Sequence, residues 1–145
     1  MNATLHLAFV FVLAVGTASV AAPAADTVNA QKAPVRSILD TQMLTGFPTT
    51  EVVQGQVTIP PGGVVDWHVH QGDESAYVLS GESVLKVQGQ PDRLVHAGDH
   101  FFMPRGVPHS IVVAPTGQPG TVMSTWIVDK GKPLLTPVAA PAPAK

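Results

Sequence analysis

The feature that most constrains the fold is the succession of short β-branched runs separated by Gly and Pro clusters. No run carries apolar residues at helical spacing over the length that a core helix needs. Evenly spaced short strands of this kind predict an all-β sandwich or barrel. The nine candidate strands are Val35–Asp40, Glu51–Ile59, Val64–His70, Glu74–Ser80, Ser83–Gln88, Arg93–His96, His100–Met103, His109–Val113 and Thr121–Asp129.

Length and composition indicate one folded domain. The chain has 145 residues, of which 45% are hydrophobic and 12% charged, with a net charge of −2. This balance is too apolar and too weakly charged for a chain that is disordered throughout. We find no internal repeat, so we expect one barrel and not a tandem pair.

The charged residues and the lack of cysteine exclude several functions. The absence of cysteine excludes disulfides, thiolate metal sites and cysteine nucleophiles, so His and carboxylate side chains must hold any metal. The eight basic residues form no patch or stripe, which argues against nucleic acid as a partner. They are Lys32, Arg36, Lys86, Arg93, Arg105, Lys130, Lys132 and Lys145.

Both ends of the chain differ from its middle. Residues 5–22 are almost unbroken apolar residues followed by small ones, which predicts a signal peptide over 1–25 that is cleaved within 21–25. No Lys or Arg precedes this stretch, so an uncleaved N-terminal anchor is the competing interpretation. We expect a periplasmic or secreted protein with a linker over 26–34, a domain over 35–134 and a disordered Pro/Ala tail over 135–145.

Five of the six histidines lie between His68 and His109. Residues two apart in a strand share a face, so His68 and His70 present two imidazoles on one wall. Glu74 follows a tight turn that can fold the next strand back beside them, and His109 opens a later strand from which it can supply a fourth ligand. Three imidazoles and one carboxylate suit Fe, Mn, Ni, Co, Cu or Zn as a single divalent ion, and do not suit an oxygen-only Ca or Mg cage.

Two sequence motifs resemble those of the cupin superfamily. The first runs from Gly62 through His68-Val69-His70 and Glu74 to Gly81, and the second runs from Gly98 through Pro104-Arg105-Gly106-Val107-Pro108-His109. The second motif departs from the family pattern where its usual Asn is replaced by Val113. The chain also resembles the small secreted, quercetin-dioxygenase-like members of the type-2 group.

This resemblance implies a conical β-barrel of two sheets, of the jelly-roll type, with one metal near its open end. The implied ligands are His68, His70, Glu74 and His109. Strand parity predicts that Asp66 either points inward beside them or remains a solvated rim carboxylate. The predicted apolar lining comprises Val64, Ala76, Val78, Ile111 and Val113, while His96 and His100 receive no role.

The resemblance makes a metal-dependent dioxygenase the leading hypothesis, with a small enol- or catechol-like substrate. Glu74 is then the catalytic residue, either as a retained ligand or as a base. A non-catalytic secreted barrel that binds a metal or a small ligand is one alternative, and a non-redox isomerase or hydrolase is another. We expect no nucleic-acid partner, no membrane contact after signal cleavage, and a homodimer that covers an exposed sheet edge.

Overall fold

The computed structural model describes residues 33–115 and 117–142, and these residues form ten β-strands and no helix. The predicted signal peptide and most of the predicted linker therefore lie outside the described residues. Within the described ranges no helix has the length and apolar character needed to span a bilayer. The strands are β1 (Val35–Met43), β2 (Thr50–Ile59), β3 (Val64–Val69), β4 (Gly72–Ser80), β5 (Glu82–Val87), β6 (Arg93–His96), β7 (His100–Met103), β8 (His109–Val113), β9 (Gly120–Asp129) and β10 (Thr136–Pro137).

The strands form two five-stranded antiparallel sheets. One sheet has the order β1-β2-β9-β4-β7 and the other has the order β10-β3-β8-β5-β6. Alternate residues of most strands turn inward, as in β9, where buried and part-buried residues alternate from Gly120 to Trp126. This alternation confirms the all-β, double-sheet barrel that the sequence predicts.

The core lies between the two sheets and is mostly aliphatic. Its largest side chain is that of Trp126, which is 1% exposed. Burial of these side chains is the main force that holds the sheets together, because no disulfide is present. The buried apolar residues are Val53, Val57, Ile59, Val65, Ala76, Val78, Leu85, Val87, Val95, Phe101, Met103, Ile111, Val113, Val122, Trp126 and Val128.

Residues 135–142 have more regular structure than the disordered tail that the composition predicts. Residues 135–142, which composition predicts to be disordered, include β10, and β10 pairs with Val69 and His68 of β3. Leu134 and Leu135 pack on the core, and Val138 N–H donates to the Trp67 carbonyl at 2.9 Å. A Pro-rich segment can form a sheet edge because its missing N–H groups face away from the ladder.

Strand β1 is an exposed edge. All nine of its residues are exposed, including the apolar Val35, Ile38, Leu39 and Met43. An apolar edge strand is a typical site for pairing with another chain. The expected homodimer nevertheless stays a prediction.

The close approach of β4 and β9 depends on Gly72. A Cβ atom at this position would lie 2.5 Å from the Val128 Cα and would also overlap the Ile127 carbonyl, so only glycine fits. We expect Gly72→Ala to lower the free energy of unfolding by about 3 kcal/mol or more, because backbone atoms cannot rotate away from the clash. Urea denaturation measures this loss.

Gly89→Ala is the matched control for this prediction. Gly89 has a φ of 75°, but a Cβ atom at this position would meet no heavy atom within 4 Å. The substitution therefore introduces only backbone strain of about 1–2 kcal/mol. Equal losses in the two variants would contradict the steric role of Gly72.

Candidate metal centre

The end of β3 supplies two of the predicted site residues. His68 lies in β3 and His70 follows it directly, and both are almost fully buried, with 4% and 2% of their surfaces exposed. Their ring centroids are 4.9 Å apart in an edge-to-face arrangement. The two imidazoles therefore lie side by side inside the barrel, as strand parity predicts.

A β-bulge between Val65 and His68 changes the parity of the preceding residues. Val65 is buried and lines the same cavity as His68, whereas Val64 and Asp66 are exposed on the outer face. The prediction that Val64 lines the pocket is therefore wrong. The side chain of Asp66 also stays outside, and this residue reaches the site only through its backbone carbonyl.

The other two predicted residues, His109 and Glu74, lie on opposite sheets of the barrel. His109 begins β8 and pairs directly with His68, and their ring centroids are 4.1 Å apart. Glu74 lies on β4 in the opposite sheet, and its Oε2 is 3.2 Å from His70 Nε2 and 3.4 Å from His109 Nε2. The structure thus brings all four predicted residues together at one point in the barrel.

Backbone carbonyls fix the orientation of all three imidazoles. Nδ1 of His68 lies 2.7 Å from the Asp66 carbonyl oxygen, and Nδ1 of His109 lies 2.9 Å from the Val107 carbonyl oxygen. Nδ1 of His70 contacts the Leu134 carbonyl in the same way, across 64 residues of sequence. A carbonyl only accepts hydrogen bonds, so each Nδ1 must donate, which leaves each Nε2 as the ring nitrogen available to a metal.

The loop before β8 is tied to the first motif. Gly106 N–H donates to the His70 carbonyl at 3.1 Å, and Arg105 N–H donates to Asp73 Oδ1 at 2.9 Å. The Arg105 guanidinium also makes a bidentate pair with Asp129 at 2.7 and 2.8 Å. These contacts hold His109 in place relative to His70, although the two lie on different segments.

Electrostatics keep His68 and Glu74 in the protonation states that a metal requires. Burial, with the neighbouring His109 ring, lowers the pKa of His68 to about 4, so this imidazole is neutral at neutral pH. Burial also opposes the charged form of Glu74. Interactions with the His109 and His70 rings outweigh it and hold the pKa of this carboxyl well below its ordinary value.

The donor set fits a divalent transition-metal ion. The ligand atoms of His68, His70 and His109 lie within 4.8 Å of one another, so the three buried histidines could hold a metal. The Nε2 atoms of His70 and His109 face the Glu74 carboxylate at 3.2 and 3.4 Å. A cation between these groups would bind the imidazole nitrogens and balance the charge of the buried carboxylate. Imidazole nitrogen and carboxylate oxygen suit Zn, Fe, Mn, Co, Ni or Cu.

Three residues that sequence reasoning did not assign also line the site. Trp126 N–H donates to His70 Nε2 at 3.3 Å, and Trp126 pairs with Glu74 across β4 and β9. Ser124, two residues earlier, also lowers the pKa of Glu74 and lines the cavity, and Arg36 lines the cavity from β1. The alternation along β9 indicates an inward side for Ser124 and Trp126, but only the strand order places that side against Glu74.

The cavity beside these residues is small. Its volume is about 20 Å³, close to the space that one water molecule requires. Ile111 lines it as predicted, whereas Ala76, Val78 and Val113 are buried in the core without lining it. The apolar residues that do line it are Val57, Ile59, Val65, Ile111, Val122 and Trp126.

The two histidines without a predicted role lie away from this cluster. His96 is exposed and makes ion-pair contacts with Glu82 and Asp99 at a hairpin. His100 begins β7 and is also exposed. Their separation from the site agrees with the absence of any assigned function.

Three named proteins share sequence similarity with the chain. Dimethylsulfoniopropionate lyase DddQ of Ruegeria pomeroyi is 37% identical over 64 residues, which cover 44% of this chain and 32% of that protein. Oxalate oxidase 2 of Hordeum vulgare is 32% identical over 72% of this chain and 55% of its own length. The 3-hydroxyanthranilate 3,4-dioxygenase of Xanthomonas euvesicatoria is 42% identical over 34% of this chain and 30% of its own length.

These similarities cover only part of each relative. The chain spans between about a third and just over half of the curated relatives' length. The crystal structure of DddQ from Ruegeria pomeroyi superposes with a TM-score of 0.61 at 24% identity, over 79% of this chain and 55% of that one. At this identity the superposition establishes the fold alone.

A sequence profile described as the Cupin domain matches residues 55–128. The match includes His68, His70, Glu74 and His109, and it covers just over half of the chain. The two-sheet barrel agrees with this match. The chain therefore belongs to the cupin family.

Proposed function

We propose that this protein is a metal-dependent dioxygenase that acts on a small enol- or catechol-like molecule. The observation that carries the proposal is the convergence of three carbonyl-anchored imidazoles and an ionised carboxylate in an otherwise apolar barrel. When bound there, a redox-active metal would activate an enol or catechol and dioxygen toward each other.

The chain's own residues would orient the reactants and move a proton. The Glu74 carboxylate lies buried against His70 and His109, so we expect it to accept the proton of a substrate hydroxyl that enters the site. Val57, Ile111 and Val122 form an apolar wall that excludes water from the reacting atoms. The Trp126 indole bounds the cavity beside His70 and limits the size of the group that can enter.

Two relatives support an oxidative reaction. Their names describe an oxalate oxidase and a 3-hydroxyanthranilate dioxygenase. Oxalate and 3-hydroxyanthranilate are both small acids with metal-chelating oxygen atoms. The proposed type of reaction rests on these names and on the donor set. The proposed substrate class rests on the need for two oxygen atoms that can chelate a metal.

A non-redox lyase is the second candidate. A relative with this activity, DddQ, resembles the chain both in local sequence and in fold. A lyase needs a base that removes a proton and a Lewis acid that stabilises the resulting anion, and Glu74 and a bound metal would serve these roles. The lyase and the dioxygenase differ in their requirement for oxygen.

The purified protein should contain about one divalent transition-metal ion per chain. We expect the double substitution His68→Ala and His70→Ala to abolish stoichiometric binding, because it removes two of the four donors. Elemental analysis after dialysis measures the metal content. His96→Ala is the control, since His96 is exposed and distant from the cluster. Full metal content in the double variant would contradict the assignment.

Metal-loaded protein should consume oxygen with a flavonol or a catechol. Preparations loaded in turn with Fe, Mn, Ni, Co and Cu are tested in an oxygen electrode. Glu74→Gln should lower the rate by about 10²–10⁴-fold, because the amide cannot accept the proton. If no preparation consumes oxygen but a substituted propionate is cleaved without oxygen, the lyase replaces the dioxygenase. If neither reaction occurs, both proposals are wrong.

We also propose that the protein is exported. The expected cleavage within 21–25 would leave a mature chain beginning between residues 22 and 26. N-terminal sequencing of protein isolated from the periplasm or the medium tests this prediction. An intact residue 1 on membrane-associated protein would instead support the uncleaved anchor.

A further inference from the structure

One positively charged side chain lies at the mouth of the candidate metal centre. Arg36 is on β1 and pairs with Val57 of β2, whose side chain lines the cavity. Residues opposite each other on paired strands face the same way, so Arg36 is directed to the cavity side of the sheet. Its own side chain remains exposed because β1 is the sheet edge.

Trp126 connects Arg36 to the histidines. The Arg36 guanidinium carbon lies 5.8 Å from the centre of the Trp126 ring, and the His70 ring lies 5.9 Å from the same indole. The charged group and the candidate metal ligand thus contact one aromatic side chain from two directions. Stacking on the indole holds the guanidinium in place while leaving its N–H donors free to bind an anion.

Gly55 makes this arrangement sterically feasible. A Cβ at Gly55 would lie 3.2 Å from Trp126 Cζ3 and 3.3 Å from Ile38 Cδ1. The missing side chain gives the indole room to lie against β2 below Arg36. The position of the guanidinium is therefore a consequence of packing that begins in the core.

No carboxylate of the described ranges 33–115 and 117–142 forms an ion pair with Arg36. Arg105 and Lys86, in contrast, pair with Asp129 and Asp92. In the part of the chain that the structure describes, Arg36 and Glu74 are the only charged residues besides the histidines that line the cavity. Arg36 makes no ion pair with Glu74 either, whose contacts are with His70 and His109, so the charge of Arg36 remains available to a ligand.

The size of the cavity places most of any substrate outside it. About 20 Å³ admits the metal-binding atoms of a molecule and excludes a ring with its substituents. The remainder of the molecule must lie at the mouth, where the Arg36 guanidinium can donate to it. A fork of N–H groups matches the two oxygen atoms of a carboxylate better than any neutral group.

We propose that Arg36 forms a carboxylate subsite, and that the substrate is an aromatic or enolic acid whose chelating end reaches the histidines. This inference rests on the metal-dependent function proposed above and specifies the class of its substrate. The Arg36 guanidinium binds the carboxylate from the mouth, and Trp126 supports the guanidinium from below. Arg36 determines specificity and does not take part in the chemical step.

The test compares a charged probe with its neutral isostere. In a Trp67→Phe background, Trp126 is the remaining tryptophan, so its fluorescence reports binding at the site. Zinc-loaded protein, which does not carry out redox turnover, is titrated with 3,4-dihydroxybenzoate and with 3,4-dihydroxybenzamide. Both probes carry the catechol, and only the first carries a carboxylate. We expect the acid to bind at least about tenfold more tightly than the amide.

Arg36→Gln should remove this preference, weakening binding of the acid much more than binding of the amide, and Arg36→Lys should retain part of it. Arg93→Gln is the control, because Arg93 is exposed and donates to the His100 carbonyl away from the site. Zinc content is measured in every variant and should be equal. Equal affinity for both probes in the parent, or an unaltered preference in Arg36→Gln, would overturn the subsite.

A separate titration distinguishes failure of the metal-dependent function from failure of the Arg36 subsite. If the parent retains no zinc, metal-free protein is titrated with benzoate and benzamide, which lack the chelating catechol. A preference for benzoate that Arg36→Gln abolishes supports the subsite even though the metal proposal fails. No preference for benzoate overturns the subsite as well.

Discussion

The hydrogen bonds between imidazole Nδ1 atoms and backbone carbonyls are the interactions on which the candidate centre depends. They orient His68, His70 and His109 so that their ligand atoms lie within 4.8 Å of one another and those of His70 and His109 contact the Glu74 carboxylate. Two of the accepting carbonyls lie two residues before the histidine that they orient, so local strand and loop geometry creates them. The third belongs to Leu134, and it makes the chain's last segment a structural part of the site.

The barrel provides what this arrangement requires. Burying an ionised carboxylate is unfavourable unless oppositely charged or polar groups surround it, and the two sheets bring such groups to Glu74 from β3, β8 and β9. Ser124 and Trp126 extend this polar cluster within an apolar core. The same packing places Arg36 on Trp126 beside the cavity of the candidate centre.

Much of the fold follows from local sequence patterns. All nine predicted strands are present, because Gly and Pro clusters mark their ends and alternating apolar residues mark their inner faces. The bulge before His68 is not predictable, since one inserted residue reverses parity without changing composition. Strand β10 is also not predicted. Its Pro-rich composition indicates disorder, and only the structure shows the sheet edge with which this segment pairs.

Motif spacing predicts the four candidate ligands of the site. Arg36, Ser124 and Trp126 become apparent only when β1, β2, β4 and β9 are known to be neighbours.

The central claim is that the three Nε2 atoms and the Glu74 carboxylate share one metal ion. A crystal structure of metal-loaded protein, with anomalous diffraction recorded at the metal edge, tests it most directly. We expect one anomalous peak in coordination contact with all four side chains. A peak elsewhere, or a metal held through Nδ1, would contradict it.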